Sequence, residues 1–79
     1  MTIAQQIRNE AEAANLTQTQ LADKLGISPQ YVSDIVRGRR GVSAFVAVRL
    51  ERVLGIKAAY VLCEQALEEL AKARLELGA

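Results

Sequence analysis

Residues 16–35, Leu16-Thr17-Gln18-Thr19-Gln20-Leu21-Ala22-Asp23-Lys24-Leu25-Gly26-Ile27-Ser28-Pro29-Gln30-Tyr31-Val32-Ser33-Asp34-Ile35, hold two helix starts and one helix stop. Thr17 and Gln20 make a capping box, in which a hydroxyl takes one orphan amide and the glutamine side chain takes another. Leu16 can staple to Leu21, and Gly26 offers the left-handed residue that ends a helix after Leu25. The spacing predicts a helix over 18–25. Ser28 then caps a second helix with Pro29 at its first position, where a missing N–H costs nothing, and Gly38 stops it after Arg37. Ile27 can staple to Val32 across that start. The turn is tight, so the two helices must cross closely: Ala22 is small at the crossing, and Leu21, Leu25, Val32 and Ile35 supply its apolar contacts. Packing uses those residues and leaves Gln30, Tyr31, Ser33, Asp34 and Arg37 as a polar outer face.

Outward from this unit, the chain is punctuated in the same way. Thr2 and Gln5 form another capping box, with Ile3, Ile7, Ala11 and Ala14 at helical spacing toward Asn15, which tolerates a left-handed stop; this predicts a helix over 3–14. Beyond the basic turn Arg39-Arg40-Gly41 and Val42, Ser43 caps a helix carrying Phe45, Val46, Val48, Leu50, Val53 and Leu54, and Gly55 closes it. So apolar a helix is expected to be largely buried. From Lys57 to Leu77 neither Gly nor Pro intervenes. A final helix over 57–77, roughly 30 Å long, is expected, with no good cap at its start. Every connection is short and no repeat or linker appears, so residues 1–79 read as one all-α domain of five helices.

At 79 residues the chain has room for one modest core. With 51% apolar and 24% charged residues it is too hydrophobic for disorder and too polar for a membrane span. It contains no His and a single Cys, Cys63. Ser-His and Cys-His nucleophile pairs, His-ligated metals and zinc cages are therefore excluded, no phosphate-binding glycine loop occurs, and neither catalytic residues nor a cofactor or metal is expected. The pair Glu68 and Glu69 are helix neighbours that diverge, as on a solvated face. A lone cysteine and a start broken by Thr2, Gln5, Gln6 and Arg8 fit a reducing, cytoplasmic location without a leader.

The net charge of +1 conceals an uneven distribution. Residues 37–57 hold Arg37, Arg39, Arg40, Arg49, Arg52 and Lys57 against Glu51, a net of +5, whereas residues 1–36 and 58–79 each carry −2. The basic stripe adjoins the polar outer face of the helix that starts at Pro29.

The pattern Gln18-x3-Ala22-x3-Gly26-x5-Val32-x2-Ile35 resembles the helix-turn-helix signature of the Cro/CI (Xre) family of DNA-binding proteins. The similarity continues through Arg37-Gly38-Arg39-Arg40-Gly41-Val42 and Arg49-Leu50-Glu51-Arg52-Val53-Leu54-Gly55-Ile56, covering residues 1 to about 56. Within the family the chain looks most like the HigA-type antitoxins, although it has Ala59-Tyr60-Val61-Leu62-Cys63 where they typically carry a Phe-Trp segment. The resemblance implies a five-helix, lambda-repressor-like DNA-binding domain with its helix-turn-helix at 17–37. It further implies a transcriptional repressor, autoregulatory, with a toxin protein as a possible partner.

In a helix-turn-helix the second helix enters the major groove with its N-terminal residues near base edges, so Gln30, Tyr31, Ser33 and Asp34 are the expected base contacts. Gln30 can pair bidentately with adenine, Tyr31 can touch a thymine methyl, and Asp34 can accept from cytosine. Gln18 and Thr19, at a helix N-terminus, and Arg37, Arg39 and Arg40 are the expected phosphate contacts. Tyr31 can equally be a packing residue. Arg49 and Arg52 read as surface residues or as ion pairs with Glu51 or Glu76, and Cys63 as a small apolar residue, buried or at an interface.

The last helix bears an apolar stripe of Ala59, Cys63, Ala66, Leu70, Ala73 and Leu77, widened by Tyr60, Leu67 and Ala71. Glu64, Glu68, Lys72 and Glu76 lie opposite. The stripe can fold back on the first and fourth helices or pair with a second copy. Pairing through Cys63, Ala66, Leu70 and Leu77 would make a homodimer suited to a palindromic operator of double-stranded DNA. The competing reading is a protein-interaction module that does not bind DNA.

Overall fold

A computed structural model describes residues 1–78 and contains five helices: α1 (Ile3–Ala13), α2 (Gln18–Leu25), α3 (Pro29–Val36), α4 (Ala44–Leu54) and α5 (Ala58–Glu76). Among the described residues there is no strand. Thr2, Thr17, Ser28 and Ser43 each accept a hydrogen bond from the backbone N–H three residues on, and the two Thr-x-x-Gln segments form complete capping boxes. Each such cap contributes about 1 kcal/mol. Asn15 and Gly26 take the left-handed conformation at the ends of α1 and α2 (φ 58° and 68°). α1, α3 and α5 are each shorter than expected by one residue at one or both ends. The reason is the cap: Ala14, Arg37, Lys57 and Leu77 flank their helices instead of completing them.

The core gathers Ile7 from α1, Leu21 and Leu25 from α2, Val32 from α3, Leu50 from α4 and Val61 from α5. Burying each of these side chains stabilises the fold by about 1.5–3 kcal/mol. α2 packs against α3 and α4, α1 against α3 and α5, and α4 against α5. No helix among the described residues is long and apolar enough to cross a membrane.

One expectation is corrected. α4 is not largely buried: Val46, Ala47 and Leu50 face inward, but Phe45 is 62% exposed and Val48 is also exposed, while Val53 and Leu54 are half-buried. A helix lying along one side of a small core covers a single stripe, so apolar residues on its far side stay in water. Glu68 is exposed, as expected, and also accepts the Ile3 N–H at 2.7 Å. α5 rests on the core through Val61, with Ala58, Leu62 and Gln65 half-buried beside it, and the stripe of Ala59, Cys63, Ala66, Leu70 and Leu77 is left exposed.

The missing cap of α5 is supplied from α4, because the Glu51 carboxylate accepts the Ala58 N–H at 2.9 Å. Glu51 and Glu68 thus set carboxylates at the N-termini of α5 and α1, where the helix dipole favours negative charge.

Candidate nucleic-acid interface

Gly26 turns the chain from α2 into α3. Its N–H donates to Asp23 O at 3.3 Å and the Ile27 N–H donates to Ala22 O at 3.1 Å, the pairing that satisfies carbonyls at a helix end. The positive φ of Gly26 is what demands glycine there; a Cβ would lie 3.0 Å from an Arg49 guanidinium nitrogen, which would have to give way slightly. That guanidinium is seated over the Phe45 ring, 4.7 Å from its centroid. Arg49 is therefore a packing partner of the turn through a cation–π contact, and Glu51, its expected ionic partner, faces Ala58.

α3 turns Val32, Ile35 and Val36 inward. Outward it presents Gln30, exposed, with Tyr31, Ser33 and Asp34 half-buried and Arg37 exposed at its end. Four of the expected base contacts therefore share one helix face. The Gln30 side-chain NH2 donates to Asp34 Oδ1 at 3.0 Å. This bond leaves the Gln30 carbonyl oxygen and its second N–H to the outside, the donor and acceptor that adenine requires. Asp34 thereby acts on its neighbour as well as on anything that enters from solvent.

Tyr31 leans toward the loop after α3. Arg40 stacks on its ring at 4.0 Å, and its hydroxyl reaches Gly41 O at a long 3.4 Å. The loop is folded back onto α3, since the Arg39 N–H donates to Asp34 O at 2.8 Å. Arg37, Arg39 and Arg40 are all exposed, so three cations flank the outer face of α3. Gln18 and Thr19 are exposed at the start of α2, where the capping box engages the N–H of Gln20 and Thr17 and leaves theirs to solvent.

Cys63, Ala66, Leu70 and Leu77 lie apart from this face, on a helix that packs against α4 and α1. All four are exposed. For Cys63 this removes the buried reading. Sequence reasoning missed Gln65. Its side-chain oxygen accepts the Val42 N–H at 2.7 Å and its NH2 donates to Val42 O at 3.1 Å, tying α5 to the basic loop. Its partner is backbone 23 residues away, which no side-chain pattern reveals.

Two short helices crossing at a glycine turn, with the second presenting a polar face flanked by arginines, define a helix-turn-helix protein. Residues 7–61 match the helix-turn-helix family, and the chain belongs to it, in its Cro/CI (Xre) branch. It is 34% identical over 67 residues to the immunity repressor protein of Bacillus phage phi105, which covers 85% of this chain and 46% of the repressor. The chain thus spans less than half the length of that relative. Among solved structures it is similar to the Pseudomonas aeruginosa antitoxin HigA with the higBA promoter (TM-score 0.88, 32% identity, 99% of this chain and 86% of that one). A Pseudomonas aeruginosa protein in complex with its operator DNA is equally similar (TM-score 0.88, 32% identity, 99% and 87%), as is the antitoxin GraA (TM-score 0.89, 29% identity, 99% and 85%).

Proposed function

We propose that this chain is a transcriptional repressor that binds a palindromic operator of double-stranded DNA as a homodimer, each copy laying α3 in a major groove. The observation that carries the reading is the Gln30–Asp34 pair on the exposed face of α3, beside the cations of the basic loop. Gln30 reads adenine through its free oxygen and second N–H, and Asp34 holds it in register and offers its other oxygen to a base. Tyr31 and Ser33 contact neighbouring base pairs. Arg37, Arg39 and Arg40, together with Gln18 and Thr19 at the N-terminus of α2, hold phosphates on either side of the groove. The likeness to operator-bound and promoter-bound structures supports this placement.

In this reading dimerisation uses the exposed stripe of α5, where Leu70 sits among Cys63, Ala66 and Leu77. Two copies so joined would need their α3 helices about 34 Å apart to enter successive major grooves. The protein represses its own promoter in the cytoplasm and performs no catalysis. A second reading, an antitoxin that also binds a toxin protein, is favoured by the likeness to HigA over 99% of the chain.

Fluorescence anisotropy against the chain's own upstream DNA and a scrambled duplex, each over a salt series, tests the proposal. Binding to the upstream DNA is expected to be tighter by about a thousandfold. Weak and equal binding to both would overturn it in favour of a module that binds protein alone.

A further inference from the structure

The loop between α3 and α4 carries the arginines closest to the reading helix, yet it is short and free of regular structure, and of residues 38–42 only Val42 is buried. Ordering each residue of such a segment costs about 1–2 kcal/mol in backbone entropy, so something must hold it. Its first half is held by α3, through Gly38 N–H to Ile35 O at 3.0 Å and Arg39 N–H to Asp34 O at 2.8 Å. Its end is held by the Ser43 cap of α4. Its middle is held from α5, where the Gln65 carboxamide meets both polar groups of Val42, at 2.7 and 3.1 Å. A side-chain amide paired in this way copies the two-bond pattern between neighbouring strands and fixes orientation as well as distance. Gly41 accommodates the approach, since a Cβ there would stand 3.1 Å from the Gln65 oxygen and 3.2 Å from its carbon. One residue further back, Arg40 is stacked on Tyr31, whose hydroxyl turns toward Gly41 O.

We propose that Gln65 is a positioning residue for DNA binding: through Val42 and Gly41 it sets the loop so that Arg40 lies on Tyr31 beside the reading face. The inference rests on the DNA-binding reading above and deepens it, because it makes α5 a determinant of DNA affinity although α5 is no part of the helix-turn-helix. Gln65 touches no phosphate or base itself. Its effect passes through Arg40, so the two residues act as one unit.

The test is a double-variant cycle on the full chain, read by anisotropy on a scrambled duplex of about 20 base pairs at low salt, where phosphate contacts dominate. Loss of two hydrogen bonds in Gln65→Ala is expected to weaken binding about three- to tenfold. Gln65→Glu, which sets an acceptor against the Val42 carbonyl and adds a negative charge beside the basic loop, is expected to weaken binding at least as much as Gln65→Ala. Gln65→Ala added to Arg40→Ala is expected to cost less than about twofold more than Arg40→Ala alone. Losses that multiply, or a Gln65→Ala protein that binds as tightly as wild type, would overturn the proposal and leave the DNA-binding reading intact. Wild-type protein that binds no duplex would overturn both. Amide exchange supplies a readout without DNA: the Val42 N–H is expected to exchange faster in Gln65→Ala while those of Val32 and Ile35 keep their protection. Equal exchange at Val42 in the two proteins would show that the clamp does not hold the loop.

Discussion

α3 and α5 treat their outer faces in opposite ways. α3, only 8 residues long, places Val32, Ile35 and Val36 in the core and shows solvent a polar face with arginines at its end. α5, with 19 residues, fully buries Val61 alone and shows solvent Leu67, Leu70 and Leu75, with Leu77 exposed just past its end. A polar face beside cations suits a partner made of phosphates and base edges, whereas an apolar face suits another protein surface. One small domain therefore offers two chemically distinct surfaces on helices that both pack against α1. What sets them apart is how much of each helix the core absorbs.

The difference can be broken most severely from the inside. Leu25→Ala, at the α2–α3 crossing, is expected to cost about 2–5 kcal/mol in urea unfolding, because the side chain is fully buried and the surroundings cannot close the gap. Leu75→Ala, at a position 82% exposed, is expected to change stability by less than about 0.5 kcal/mol. Similar losses from both would mean that the far end of α5 is as deeply packed as the crossing.

On the polar side, Arg39→Ala combined with Arg40→Ala is expected to weaken operator and random duplexes alike. The plot of log affinity against log salt should flatten by about 2, at about 0.9 for each phosphate contact removed. An unchanged slope would take the loop off the DNA. On the apolar side, Leu70→Asp is expected to convert a dimer to a monomer in sedimentation, and an unchanged mass would move the interface away from α5. The most selective effect is expected at Gln30. Gln30→Ala should lose about 1–3 kcal/mol of preference at one base pair in each half-site while general affinity persists, as read by competition with single-base operator variants. Uniform loss across all variants would remove Gln30 from the reading role.

Legibility in the sequence divides along the same line. The α2–turn–α3 unit could be read because its determinants are local: Thr17 caps to Gln20, Ser28 caps to Tyr31, and Gly26 must be left-handed whatever lies around it. The outer face of α3 followed by subtraction once Val32 and Ile35 were assigned to packing. α5 resisted for the opposite reason. Its periodicity gives the phase of an apolar stripe but not whether the core or the solvent receives it, and the core took the Val61 side. Gln65, Glu51 and Glu68 all engage backbone groups, which have no letter in the sequence, at separations from 7 to 65 residues. Phe45 misled because hydrophobicity reads as burial, whereas here the ring serves as a seat for Arg49.

The central claim, that α3 and its basic loop meet DNA while the stripe of α5 does not, is tested most directly by mapping amide chemical shifts as an operator duplex is titrated. The largest changes are expected at residues 30–34 and 37–42 and at Gln18 and Thr19, with the amides of Leu70 and Leu77 nearly still. Changes centred on α5, with those of Gln30, Asp34 and Arg40 unmoved, would contradict it.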